Sequence, residues 1–258
     1  PANPWAVDGG PNGGDEPPPT VSEMSGAPTY TLALGTINVS NNLTIGDGTN
    51  EMTATADAND TVLNVDGDVT ISANSTLTAS GSAAFNVGGS WSNAGTFTAG
   101  TGTVTFDAGA SGKTLAGAMI DTSAFYDLTF NNGSGGWTLS NDIKVTHVLD
   151  INAGTFNASN TTIELSGDDT PFVKTGTFNY DTSTVKYTSG EDTNITAATY
   201  YILELESAGG GDGGWTVTGA GAVGYNGDYT ENGTEGGKAA YRLDDTHWLY
   251  WMPDAGPP

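Results

Sequence analysis

A short internal repeat is the feature that most constrains the fold of this chain. Nine residues recur three times, with starts 26 and 22 residues apart, as INVSNNLTI (Ile37–Ile45), LNVDGDVTI (Leu63–Ile71) and FNVGGSWSN (Phe85–Asn93). Apolar and polar residues alternate in each copy, which is typical of a strand with one buried face. A unit of this size cannot bury its apolar face alone, so successive units have to stack on one another.

A second pattern begins with Gly-Thr-Phe and continues into an alternating strand. Its copies are GTFTAGTGTVTF (Gly95–Phe106), GTFNASNTTIEL (Gly154–Leu165) and GTFNYDTSTVKY (Gly176–Tyr187). No stretch of the chain carries a sustained helical periodicity. The sequence therefore predicts an all-β protein, most simply a right-handed parallel β-helix or β-solenoid. A jelly-roll-like β-sandwich is the alternative, because it also has short strands separated by frequent turns.

Changes of composition divide the chain into three parts. Residues 1–28 are rich in Pro, Gly and acidic side chains and are predicted to form an N-terminal arm. Residues 29–218 carry the repeats and are predicted to form one repetitive β domain. Residues 219–258 differ in composition, which predicts a small aromatic-rich β module followed by a Pro-rich tail.

The balance of charge excludes several classes of partner. The 258 residues include 30 acidic and 6 basic side chains, for a formal net charge of −24. Nucleic acid and anionic lipid repel such a chain, and no apolar run approaches the roughly 18–20 residues of a membrane-spanning helix. The chain has no Cys, which removes disulfides and Cys-ligated metals. We therefore expect no nucleic-acid partner and no membrane insertion.

Motifs that carry enzyme chemistry occur only as fragments. Gly219–Gly224 spells GxGxxG and Gly109–Thr114 spells the end of a phosphate-binding loop, but the residues after each predict no helix to hold a phosphate. His147 shares its parity with apolar neighbours, which predicts a core or ladder position. Glu204 and Glu206 alternate with leucines, as solvated carboxylates on one strand face do. We predict no catalytic or cofactor-binding residue, and the chain is not expected to be an enzyme.

Two acidic turns are the candidates for a bound ion. Asp57–Asp60 and Asn64–Asp68 present hard oxygen ligands of the kind that Ca²⁺ prefers, although neither matches the full EF-hand loop. Ordinary turn hydrogen bonds from Asp and Asn explain the same residues. We predict no metal-binding residue, and Ca²⁺ is kept as an alternative.

The second repeat resembles sequences from a known class of proteins. GTFTAGTGTVTFDAGASGKTLAG and FYDLTFNNGSGGWTLSNDIKV resemble the repeats of large secreted bacterial and archaeal surface proteins: autotransporter-like passengers, filamentous adhesins and fibre-forming proteins. The resemblance covers about residues 29–218. It implies an extracellular, mainly structural protein at the cell surface, secreted after signal-peptide removal. Residues 219–256 resemble a small aromatic β module of secreted and virion proteins, to which no chemistry is attached.

The ends of a β-solenoid suggest a function, because they expose unpaired strand edges that can accept a strand from another chain. We therefore expect a subunit of a surface filament or fibre, a homopolymer assembled head-to-tail. The N-terminal arm is expected to dock on the neighbouring subunit. The interface residues predicted for this contact are Trp5, Val7, Tyr30, Leu32 and Leu34.

An adhesin or glycan-binding module of a larger surface protein is the alternative function. Its ice-binding version depends on outward rows of threonine, such as Thr96 with Thr98 and Thr103 with Thr105. These rows would have to align over several coils, and Asn and Lys interrupt them in the later copies of the repeat.

Overall fold

The structure, a computed structural model, describes residues 27–206 and four further strands between residues 215 and 250. It is nearly all β, with 52% of residues in strands and 3% in helix, and its parallel sheets stack as a β-solenoid of about eight turns. Among the described residues, two single-turn 3-10 helices, Asp57–Asn59 and Asp121–Ser123, interrupt the strands.

The strands of the solenoid follow the predicted repeats. In chain order they are β1 (Thr29–Thr31), β2 (Thr36–Val39), β3 (Leu43–Ile45), β4 (Met52–Thr55), β5 (Val62–Val65), β6 (Val69–Ile71), β7 (Ser75–Thr78), β8 (Phe85–Val87), β9 (Trp91–Asn93), β10 (Thr96–Thr98), β11 (Thr103–Phe106), β12 (Lys113–Gly117), β13 (Phe125–Leu139), β14 (Ile143–Asn157), β15 (Thr162–Leu165), β16 (Phe172–Lys174), β17 (Thr177–Asn179), β18 (Thr184–Tyr187) and β19 (Ile202–Leu205).

Every pair of these strands is parallel. A four-stranded sheet has the order β1-β4-β7-β10, and the main path of a fifteen-stranded sheet is β2-β5-β8-β11-β13-β14-β15-β18-β19. This stacking confirms the predicted parallel β-solenoid. The β-sandwich alternative is wrong, because its sheets pair antiparallel strands. The right hand of the coil stays a prediction.

The nine-residue repeat defines three successive coils in register. Ile37 lies beside Leu63, and Leu63 lies beside Phe85. Further along each copy, Leu43, Val69 and Trp91 form a second row in the same way. Each row points its apolar side chains inward, so like residues stack from coil to coil and exclude water from the core.

The Gly-Thr-Phe repeat is only partly in phase with the coils. Phe156 and Phe178, from its second and third copies, lie side by side in the fifteen-stranded sheet. Phe97, from the first copy, lies in the four-stranded sheet beside Leu77. Similar sequences therefore occupy two different sides of the solenoid.

An aromatic cluster fills the middle of the core. The ring of Trp91 lies 4.9 Å from that of Phe97, 5.5 Å from that of Phe125 and 6.0 Å from that of Phe85, with edge-on or tilted contacts. All four side chains are buried. Aromatic pairs in these geometries contribute roughly 0.5–1.5 kcal/mol each beyond the burial of their area.

Polar side chains outside the core also bond from coil to coil. Asn64 Nδ2 donates to Asn38 Oδ1 at 2.9 Å, and Asn86 Nδ2 donates to Asn64 Oδ1 at 2.7 Å. At the adjoining turn, the Asp68 amide donates to Asn42 Oδ1 at 2.8 Å. These bonds hold neighbouring coils in register where the apolar core does not reach.

The remaining described strands form a separate antiparallel sheet in the order β20 (Trp215–Val217), β21 (Gly227–Glu235), β22 (Lys238–Arg242) and β23 (Trp248–Tyr250). Trp215 of β20 pairs with Tyr229 of β21. The domain boundary predicted between residues 218 and 219 stays a prediction. The GxGxxG of Gly219–Gly224 lies outside the described residues.

Candidate functional site

One inward row of side chains runs the full length of the solenoid, and we call it the Tyr30–Leu205 row. Strand pairing and ring contacts join its members one coil at a time. Its seven inner members are 0–3% exposed, whereas Tyr30 is 57% exposed and Leu205 is 63% exposed. The row consists of Tyr30, Ala54, Leu77, Phe97, Phe125, Val145, Leu165, Tyr187 and Leu205.

The N-terminal end of the solenoid presents β1 as an edge strand. Among the described residues β1 pairs with β4 alone. Tyr30 therefore has a row neighbour on one side only, and Leu34, just after the strand, is 82% exposed. A free parallel edge of this kind is a template for another strand.

The C-terminal end of the described solenoid also presents an edge strand, β19. In the described part of the chain β19 pairs only with β18, so Leu203 lies beside Val185 and Leu205 beside Tyr187. Val185 and Tyr187 are buried, but Leu203 is 40% exposed and Leu205 is more exposed still. The apolar rows thus end in open surfaces at both ends of the described solenoid.

The predicted interface residues divide into three groups. Trp5 and Val7 lie outside the described residues. Leu32 is partly buried against the core, and its amide donates to Thr55 O at 2.8 Å. The strand expected to dock on a neighbour therefore pairs with its own chain. Tyr30 and Leu34 are exposed, and their part in an interface stays a prediction.

Charge is distributed unevenly between the two ends. The three strands of the first coil, β1, β2 and β3, contain no charged side chain, although Asp47 and Glu51 lie between β3 and β4. The last coil carries Glu204 and Glu206, and Lys186 Nζ lies 2.8 Å from Glu206 Oε2. That hydrogen bond raises the pKa of Lys186. An acidic strand that meets uncharged strands avoids part of the repulsion expected between two acidic ends.

A second ion pair lies two coils earlier on the same outward face. Lys144 Nζ lies 2.8 Å from Glu164 Oε1, and Thr188 Oγ1 donates to the same oxygen at 3.2 Å. Burial raises the pKa of Glu164, but the hydrogen bond and the charge of Lys144 outweigh it, so the pKa lies below its ordinary value. Lys144, Glu164, Lys186 and Glu204 occupy successive register positions.

His147 does not occupy the predicted core position. Its side chain is about half exposed, its ring stacks on Tyr126 at 4.7 Å, and its Nδ1 lies 2.6 Å from Asp127 Oδ1. Between Phe125 and Asp127 the register gains one residue on β14, and this bulge reverses the parity of the residues after it. A carboxylate that orients an imidazole is one part of a general base.

The acidic turns use their carboxylates to connect coils. Asp57 Oδ1 accepts from the Gly81 amide at 3.1 Å, and Asp60 Oδ1 accepts from Ser80 Oγ at 2.8 Å. Asp68 Oδ1 accepts from the Ser90 amide at 2.7 Å. Within the described ranges, no three His, Cys, Asp or Glu side chains group so as to hold a metal ion.

The loop that resembles a phosphate-binding motif leads into a strand. Lys113 and Thr114 begin β12, which pairs with β9 and β13. The helix that a phosphate site needs does not follow, which confirms that part of the prediction. No helix of the described residues is both long and apolar enough to cross a membrane.

Comparisons with known proteins identify no relative: no family model, no curated protein and no solved structure matches the chain. The resemblance to secreted surface proteins therefore stays a prediction, and function has to be inferred from the geometry of the solenoid.

Proposed function

We propose that this protein is the subunit of an extracellular filament, in which the solenoid of each copy continues into the next. The last coil of one subunit stacks on the first coil of its neighbour, so that Leu205 of one copy covers Tyr30 of the next. The observation that carries the proposal is the Tyr30–Leu205 row, whose inner members are buried and whose two ends are open.

The direction of the strands supports a head-to-tail order. All strand pairs of the solenoid are parallel, so β19 offers the edge that a parallel strand such as β1 can extend. Two N-terminal ends, or two C-terminal ends, would have to meet antiparallel. A contact between two different surfaces does not close on itself and generates an open filament.

The arrangement of charge supports the same pairing. The net charge of −24 opposes self-association in general. Since the strands of the first coil carry no charge, they can approach the acidic strand β19 without direct like-charge contact. We expect added salt to strengthen the polymer, because it screens the remaining repulsion between subunits.

The test compares end and side substitutions in the full chain. Leu205→Lys places a charge in the proposed contact and is expected to abolish filaments in negative-stain images and sedimentation. Val173→Lys is the matched control, since Val173 is 39% exposed on an outward strand position. Filaments that persist in the Leu205→Lys variant, or that disappear equally in the control, contradict the proposal.

The N-terminal arm is a separate part of the proposal. Residues 1–28, with Trp5 and Val7 as apolar anchors, add to the neighbouring subunit and strengthen the contact between coils. Deletion of residues 1–28 is expected to leave a soluble monomer. If the truncated chain still polymerises while Leu205→Lys does not, coil stacking suffices and the arm has no part in assembly.

A further inference from the structure

The parallel four-stranded sheet β1-β4-β7-β10 carries a regular array of threonines on its outer face. Each of its strands contains a Thr-x-Thr triplet, and the triplets lie in register, with the first threonines of all four strands in one row and the second threonines in another. We call these eight residues the threonine array. They are Thr29, Thr31, Thr53, Thr55, Thr76, Thr78, Thr96 and Thr98.

The hydroxyl groups of the array are free of protein partners in the described part of the chain. Some threonine hydroxyls elsewhere are bonded: Thr61 Oγ1 donates to Ala33 O at 2.8 Å, and Thr161 Oγ1 donates to Ala158 O at 2.7 Å. No side-chain hydrogen bond of an array threonine occurs among the described residues. The array therefore presents hydroxyl and methyl groups to the surroundings at fixed positions.

The buried core residues beneath the array hold the threonines in fixed positions. The residue between the two threonines of each triplet points inward, and Ala54, Leu77 and Phe97 are 0–2% exposed. A β-branched side chain on a strand has restricted rotation about its first bond. Eight side chains on a packed sheet thus form a fixed surface that loses little conformational entropy on binding.

The array is also free of charge. The four strands, Thr29–Thr31, Met52–Thr55, Ser75–Thr78 and Thr96–Thr98, contain no charged residue, although the whole chain has 30 acidic side chains. A carboxylate orients nearby water around its own charge, whereas hydroxyl and methyl groups allow water to keep a lattice of its own. The array therefore suits an uncharged, ordered ligand.

We propose that the threonine array binds the surface of ice. Neighbouring strands lie about 4.8 Å apart and alternate residues of one strand lie about 6.6 Å apart, which sets a two-dimensional grid of hydroxyls. Water oxygens on the prism faces of hexagonal ice repeat in one direction at a distance close to the spacing between strands. Methyl groups stabilise a cage of ordered water, and the hydroxyls anchor it to the protein.

The array lies on the side of the solenoid, which makes ice binding independent of the proposed filament. The strands of the array stack along the coil axis, and their threonines point away from that axis. Substitution of Thr53 or Thr76, which lie one and two coils away from β1, therefore leaves the contact between Tyr30 and Leu205 of adjacent copies unchanged. In a filament each subunit would present one such array.

The test measures ice growth directly with the full chain. We expect the protein to inhibit ice recrystallisation and to show thermal hysteresis. Thr76→Lys, at the centre of the array, is expected to lower the activity about tenfold or more, since burying a charge against a neutral lattice costs more than about 1.4 kcal/mol. Thr129→Lys is the matched control on the other sheet, and its activity should stay within about twofold of the original.

The melting temperature of each variant shows whether it folds, and Thr53→Tyr provides a second bulky change in the array if Thr76→Lys does not fold. Ice growth that the full chain leaves unaffected overturns the proposal. Equal losses in Thr76→Lys and Thr129→Lys also overturn it. So does a dimer that Thr76→Lys dissociates with no effect on ice, because the array would then bind a second copy instead.

Discussion

Gly88 tests the close stacking of coils more directly than any core residue. A Cβ at this position would lie 2.5 Å from the Asp66 carbonyl oxygen, whereas ordinary contact begins at 3.4 Å. The two coils would have to separate locally by about 0.9 Å. That movement would stretch the bond from the Gly88 amide to Val65 O from 2.7 Å to about 3.6 Å, which is beyond hydrogen-bond distance.

Gly88→Ala is therefore expected to lower the free energy of unfolding by about 2–4 kcal/mol. Overpacking costs about 1–3 kcal/mol, and the lost hydrogen bond adds about 1 kcal/mol. The matched control is Gly190→Ala, because a Cβ at Gly190 meets no atom within 4 Å. The control should change stability by at most about 1 kcal/mol, in the stabilising direction.

Urea unfolding followed by far-ultraviolet circular dichroism measures both variants. Hydrogen exchange at the amides of Val65 and Gly88 shows whether the loss is local to these coils, as the one-dimensional contacts of a solenoid require. If Gly88→Ala is as stable as the original protein, the coils do not approach each other as closely as the structure indicates.

Two further predictions concern carboxylates on the outer surface. Asp150 is half-buried, its Oδ1 has no hydrogen-bond partner among the described residues, and desolvation raises its pKa. Asp150→Asn should therefore stabilise the fold by about 1 kcal/mol near neutral pH. This gain should vanish in acid, because the original side chain is then protonated and uncharged as well. If the gain persists unchanged at low pH in thermal unfolding, the cause is not this charge. The pKa of Glu164 is shifted in the opposite direction: it is lowered, so the ionised side chain stabilises the fold above the unfolded-state pKa, and this stability is lost as the pH falls through the folded-state pKa. Glu164→Gln should therefore cost at most about 1 kcal/mol near neutral pH and nothing in acid. An equal cost at both pH values would contradict the ion pair with Lys144.

The sequence predicts the coil register wherever one repeat spans one coil. The three copies that start at Ile37, Leu63 and Phe85 have the same spacing of apolar residues, so each inward row follows from the repeat alone. The same regularity predicts an all-β fold without any knowledge of contacts between distant residues. Register is well specified here because a slip of one residue would expose every buried side chain.

The threonine array could be predicted only in part, because neighbours in the array are distant in sequence. Thr96 and Thr98 lie beside Thr76 and Thr78 of the previous coil, not beside Thr103 of the next strand. The signal is a Thr-x-Thr triplet that begins at residues 29, 53, 76 and 96, one coil apart each time. It is inconspicuous because the residue between the threonines differs in every copy.

Local irregularities account for the remaining differences between the structure predicted from the sequence and the observed one. The bulge near His147 adds one residue to β14, and no pattern of apolar residues marks where such a bulge falls. The 3-10 helix Asp121–Ser123 lies against β10, and Ser123 Oγ accepts from the Phe97 amide at 3.1 Å. This helix therefore stacks on β10 in place of a strand.

The open ends of the Tyr30–Leu205 row become visible only in the structure, since the sequence does not distinguish the last member of a row from the others. Exposure of Tyr30 and Leu205 distinguishes them. Leu203 and Leu205 alternate with carboxylates, as Ile163 and Leu165 do around Glu164, although the latter pair is buried.

Electron cryo-microscopy of the assembled full chain is the decisive test of end-to-end stacking. The nine members of the Tyr30–Leu205 row, at about 4.8 Å each, predict a solenoid that passes without interruption from one subunit to the next, with an axial rise of about 43 Å per subunit. A population that stays monomeric at 26.2 kDa at every concentration, or a filament whose neighbouring solenoids do not meet end to end, would contradict the proposed assembly.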